Sequence, residues 1–229
     1  MDLLSYGLSD SLAQDIPSVD VNAPICASSQ MRLLHVAAIH RQPHVVEFLL
    51  SLGTRIDINC REKFGFSPLG CAALSKNNVA SCLALLQAGA DASQPSFSGR
   101  SPLYSVIQNI PEIVKEFVTI GEVNVNTRTT LEPIDSLPLT LAVKFKNHHL
   151  ISTLIELGAD VNGVDCASTT ALYQAVQLNE YHAAKILLGN GAVPNQCALR
   201  GRTPMFAAIE NGNTALIRLL VEVRFRGRV

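Results

Sequence analysis

The sequence has no tryptophan, and aromatic residues make up only 5% of its 229 positions. Any core it builds must therefore rest on small aliphatic side chains, which suits helix packed on helix. Charged residues are scarce as well, at 16% against 48% hydrophobic, so the low-hydropathy, high-charge signature of disorder is missing. The net charge of −1 gives no whole-protein attraction to nucleic acid or to an anionic membrane. No apolar run approaches the ~18 residues of a membrane span, no basic stretch leads into an apolar one at the start, and no Asn-x-Ser/Thr acceptor occurs. These absences predict an intracellular protein, cytoplasmic or nuclear, without a membrane partner.

Residues for chemistry are missing too. The six cysteines (Cys26, Cys60, Cys71, Cys82, Cys166, Cys197) form no C-x-x-C pair, which favours reduced thiols over disulfides or a metal. Among the histidines, His40 and His44 are separated by Pro43, and the adjacent His148 and His149 would point different ways on a helix. Neither glycine-rich phosphate motif is present. The stretch from Gly65 to Gly70 superficially suggests a nucleophile elbow, but its spacing is wrong and Ser67 is better placed as a helix cap. No catalytic residue, metal site, cofactor or small-molecule substrate is expected.

What is present is a repeated pattern. From Leu150 a helix carries apolar residues at Leu150, Ile151, Leu154 and Ile155, and Gly158 ends it. Residues 159–168 are polar and rich in turn formers, and a second helix starts behind Thr169-Thr170. The same cadence recurs along the chain. Leu34, Leu69, Leu103, Leu139, Leu172 and Met205 are spaced by 35, 34, 36, 33 and 33 residues. Pro68, Pro102, Pro138 and Pro204 each stand one position before such an anchor, in a first helical turn where a missing N–H costs nothing.

Gly158 to Asn162 (GADVN), together with Thr170 to Ala175 in the slots of T-P-L-H-x-A, closely resembles the join between two ankyrin repeats. Six such matches in phase identify the chain as similar to that family. The resemblance implies an all-α solenoid of stacked helix-turn-helix units with projecting β-turn or hairpin loops. Repeats are expected at about 31–61, 66–96, 100–130, 136–166, 169–199 and 202–223, within a domain spanning 31–223. Residues 1–30 would be a capping half-repeat or a tail, with a short helix through Leu3, Leu4, Leu8 and Leu12 ended at Ile16-Pro17. Residues 224–229 would be a basic tail; six arginines fall in the last 30 residues, with no nucleic-acid motif beside them. The enlarged reversal at 123–136 reads either as a solvated loop or as a tip that reaches a partner. The last helix, with Leu216, Leu219, Leu220 and Val223, has no polar unit after it, so either the chain is part of something longer or its end is covered.

The function implied by the resemblance is recognition of a protein or peptide on a concave groove, by a non-catalytic scaffold. Carried over position by position, the groove consists of Ile39, His40, Phe64, Phe66, Leu74, Arg100, Gln108, Lys144, Phe145, Gln177, Leu178, Arg202 and Glu210. Phe64, Phe66, Leu74, Phe145 and Leu178 are apolar where such repeats usually carry polar groups. The resemblance also implies that His35 hydrogen-bonds the neighbouring reversal. It further makes Asn162, with Leu154 and Asp160-Val161 before it, a candidate for asparaginyl hydroxylation. The alternative function is a substrate-recruiting adaptor of the ubiquitin-ligase type, suggested by Leu103-Tyr104 and Leu172-Tyr173; the adaptor family's C-terminal box is not among these residues.

Overall fold

Six pairs of short helices run through the computed structural model, which describes residues 20–25, 27–53, 56–131, 134–166, 168–198 and 201–226. The helix expected over Leu3 to Leu12, its end at Ile16-Pro17, and Cys26 lie outside the described residues. The first helices of the pairs are α1 (Leu33–Ile39), α3 (Pro68–Leu74), α5 (Pro102–Asn109), α7 (Pro138–Lys144), α9 (Ala171–Gln177) and α11 (Pro204–Glu210). The second helices are α2 (Pro43–Ser51), α4 (Val79–Gln87), α6 (Val114–Ile120), α8 (His148–Glu156), α10 (Tyr181–Gly189) and α12 (Thr214–Arg226).

Local chemistry sets where each first helix begins. Ser67, Ser101, Thr170 and Thr203 accept the N–H three residues on, from Gly70, Tyr104, Tyr173 and Phe206, at 3.1–3.2 Å. Leu137 precedes α7 without such a bond, so Pro138 alone marks that start. Two boundaries differ from the sequence reading. The apolar spacing of residues 112–120 predicts a helix starting at Glu112, but it begins instead with a 3-10 turn, Pro111–Ile113, because Ile110 before proline is held away from helical angles. At the other end α12 continues to Arg226, since neither glycine nor proline interrupts it at Val223.

First helices pack on first helices and second on second, giving two layers along the stack. The anchors Leu34, Leu69, Leu103, Leu139 and Leu172 are each no more than 3% exposed and belong to one continuous core; Met205, in the last repeat, is half-buried. Ala37, Ala72, Ala142, Ala175 and Ala208 are buried, Ala37 at 6% exposed and the other four at 0%. Their small size lets neighbouring first helices approach closely, as the alanine slots of the motif require. Cys71 and Cys82 sit in the same core, where burial pushes their thiols up to about 12, so they act as small hydrophobes. No helix among the described residues is long and apolar enough to cross a membrane.

A second set of contacts ties the reversals together. Asn22 Oδ1 accepts the Asp57 N–H, Asn59 Oδ1 that of Asp91, and Asn126 Oδ1 that of Asp160, each at 2.8 Å. Asn162 continues the row, accepting from Val193 N–H at 2.7 Å and donating to Gly191 O at 3.0 Å. One rung is different. Ser93 stands where asparagine would be, and its hydroxyl turns back onto Asp91 of its own reversal at 2.6 Å.

Candidate functional site

Three of the reversals end in a short projecting hairpin, or finger, built on one plan. In the 62–66 finger, Glu62 N–H bonds Phe66 O and Gly65 N–H bonds Glu62 O, with Gly65 at φ +83°. The 96–100 finger repeats this with Ser96, Arg100 and Gly99, and the 165–169 finger with Asp165, Thr169 and Ser168. The first residue of each also caps its own tip. Glu62 Oε1 accepts the N–H groups of Phe64 and Phe66, Ser96 Oγ that of Arg100, and Asp165 Oδ1 that of Thr169. Between α6 and α7 the finger is longer, an antiparallel hairpin of β1 (Thr129–Leu131) and β2 (Ile134–Ser136), in register from Thr129 opposite Ser136. Its turn lies outside the described residues.

Neighbouring fingers are joined. Lys63 N–H bonds Ser29 O at 2.9 Å, and Phe97 N–H bonds Phe64 O at 2.9 Å. This pairing brings together two phenylalanines one repeat apart, Phe64 at 63% exposed and Phe97 at 69%. Arg61 lies 5.4 Å from the centre of the Phe97 ring, Lys63 lies 5.9 Å from that of Phe64, and Arg100 lies 5.5 Å from that of Tyr104. Sequence reasoning named Phe64 and Arg100 but missed Phe97, Arg61 and Lys63. The available signal was the interval of 33 residues from Phe64 to Phe97, one repeat period.

The remaining sequence-predicted residues fall in two rows. Phe66, Arg100 and Arg202 close their fingers; Phe66 and Arg100 are half-buried and Arg202 is exposed. Ile39, His40, Leu74, Gln108, Lys144, Phe145, Gln177, Leu178 and Glu210 lie at the opposite ends of the first helices. The rows are about 10 Å apart, the length of a seven-residue helix. Within this second row Ile39, Leu74 and Leu178 are half-buried, while Phe145 and the polar members are exposed. Arg202 reaches along α11 to Glu210 at 3.3 Å and lies over Phe206, linking the two rows in the last repeat.

His35 supports the finger row from beneath. It is fully buried, its Nε2–H donates to Phe66 O at 3.1 Å, and its Nδ1 accepts the Arg32 N–H at 3.3 Å. Cys60 Sγ is 3.7 Å from the same Nδ1. Burial holds the imidazole below its ordinary value, outweighing the Phe66 hydrogen bond and the nearby Glu62 carboxylate. The unfolded chain therefore takes up this proton first. His35's contribution to stability is complete above about pH 6.5 and is lost as pH falls through that value toward the folded-state pKa. Urea midpoints at about pH 7.5 and 5.5 should differ more for the native chain than for His35→Gln. Equal pH dependence in the two would remove His35 from this role.

The remaining cluster of titratable groups is structural in character. Glu180 pairs with Lys146 at 2.7 Å and with His148 at 3.4 Å, and the Lys146 bond draws its carboxyl below the usual range. Among the described residues no group of three or more metal-binding side chains comes together.

Comparison with known proteins agrees with this architecture. The family model described as ankyrin repeats in three copies matches residues 34–130 and again 103–198, and the chain belongs to the ankyrin repeat family. It is 33% identical over 129 residues to the human neurogenic locus notch homolog protein 1, covering 54% of this chain and 5% of that protein. It is 30% identical over 129 residues to mouse Rabankyrin-5, covering 56% of this chain and 11% of that protein. The chain thus spans about a tenth or less of the length of these curated relatives. Among solved structures, the ankyrin repeat protein EF0377 superposes with a TM-score of 0.77 at 25% identity, over 90% of this chain and 99% of that one. Ankyrin repeats are in general protein–protein interaction modules, and the fold is typically non-catalytic.

Proposed function

We propose that this chain is a non-catalytic scaffold that holds a protein or peptide segment along its finger row and across the exposed ends of its first helices. The observation that carries this reading is the pair of neighbouring fingers presenting Phe64 and Phe97 to solvent, each more than 60% exposed. Large aromatic side chains framed by arginine are the usual anchors of an interface. Phe66, Arg100 and Arg202 extend the finger row, while Leu74, Phe145 and Leu178 supply apolar contact at the far ends of the helices. A random-peptide display selection on the whole chain should yield binders. A Phe64→Ser/Phe97→Ser double variant with an unchanged circular dichroism spectrum should release them. Binders held equally by the variant would move the site elsewhere; no binders at all would sink the reading.

Asn162 is the residue we assign to modification by asparaginyl hydroxylation. Both ends of its side-chain amide are engaged with the next reversal, so modification requires that rung to open. Coexpression with an asparaginyl hydroxylase should add one oxygen to the peptide containing Asn162, as read by mass spectrometry. A modified peptide elsewhere, with this one unchanged, would refute the assignment.

A further inference from the structure

We propose that the partner segment that docks on the 62–66 and 96–100 fingers is extended and acidic, with apolar side chains alternating with carboxylates. This rests on the groove reading above and adds the chemistry of the ligand. The argument begins with an imbalance of charge. Arg61 and Lys63 lie beside the two exposed rings and Arg100 lies over the buried Tyr104 ring at the base of the second finger, yet none of the three makes an ion pair among the described residues. The carboxylate that belongs to these fingers, Glu62, is 3% exposed, and its Oε1 is taken by the Phe64 and Phe66 N–H groups. Asp57, at the foot of the first of these fingers, is paired with Arg32 at 3.0 Å. In a chain whose net charge is −1, this corner sets three cations against one buried carboxylate, an excess of positive charge beside an apolar tip. Complementary potential favours a carboxylate-bearing partner and repels a basic one.

The joining of the fingers adds the spacing. Because Phe97 N–H bonds Phe64 O, the rings stand on adjacent hairpins in one patch. An extended segment crossing them turns alternate side chains to the same side, about 7 Å apart. Apolar residues toward the rings then leave the intervening acidic residues for Arg61, Lys63 and Arg100. Those cations already lie against aromatic rings, which limits the face left for a stacking nucleobase.

The test is fluorescence anisotropy on the full chain with labelled peptides of about twelve residues. The probes alternate Asp with Leu, Lys with Leu, or Asp with Ser, beside a single-stranded RNA of similar length. The Asp/Leu peptide should bind about tenfold tighter than the other three, and less tightly as salt rises. The triple variant Arg61→Gln/Lys63→Gln/Arg100→Gln should lose about tenfold for Asp/Leu with its thermal midpoint unchanged. Should that variant fail to fold, Lys63→Glu alone, at an exposed finger position, should weaken the same peptide. Tighter binding of the Lys/Leu peptide or of RNA, equal binding of all four, or charge variants that bind as the native chain does would overturn the proposal. Neutral binders that still depend on Phe64 and Phe97 would overturn the acidic chemistry and leave the scaffold reading standing.

Discussion

Phe117→Ala should lower the unfolding free energy by about 3–5 kcal/mol, a third or more of what a domain of this size holds. Phe117 is the largest of the fully buried side chains and sits on α6, in the middle of the second layer, between α4 and α8. In a core made mostly of leucine, isoleucine, valine and alanine, the aliphatic side chains must move together to fill the space a removed ring would leave. The neighbouring helices are each held by a further repeat, so collapse onto the void would have to drag the stack with it. Because the lesion falls in the third of six repeats, the urea transition should also broaden as the two ends lose their coupling. A loss below about 1 kcal/mol would mean that α6 closes the gap by sliding.

Gly121 and Glu122 should respond in opposite directions to substitution, although they are adjacent. A Cβ on Gly121 would stand 2.6 Å from Ala92 Cβ and 2.7 Å from Phe117 O, so Gly121→Ala should cost about 1–3 kcal/mol by forcing the second and third reversals apart. The glycine is there for space, since its φ of −80° suits any residue. The left-handed position that follows a second helix elsewhere holds Gly53, Gly89, Gly158 and Gly191, but here it falls on Glu122 at φ +50°. Glu122→Gly should therefore gain about 1 kcal/mol by removing that strain. Thermal or urea denaturation of the two single variants decides the matter. A stabilising Gly121→Ala or a destabilising Glu122→Gly would break the argument.

The fold was legible because three physical requirements recur at fixed intervals: a capped, proline-started helix, an alanine where helices touch, and a turn that can reverse. Any one is weak in isolation, but at a period near 33 they specify how the units stack. The bond of His35 to the neighbouring reversal was implied by the family resemblance rather than by these requirements, and its bond to Phe66 O is in the structure. The finger tips were harder to read. Phe97, Arg61 and Lys63 occupy positions on which the helices make no demand, so periodic patterning says little about them. Their proximity depends on the backbone pairing of one finger with the next, which only the folded chain shows. The start of α6 was misjudged for a related reason, since proline at Pro111 acts on the residue before it as well as on itself.

The acceptors at Glu62, Ser96 and Asp165 hold these three hairpins closed from their own bases, so the conformation of a tip is settled largely within its finger, with His35 of α1 adding a bond from below to Phe66 O. Specificity can then drift without endangering the architecture: the second and third residues of a finger are free to change their chemistry while the load of folding is carried elsewhere. For protein engineering the same separation offers exchangeable reading heads, grafted one hairpin at a time onto an unaltered frame.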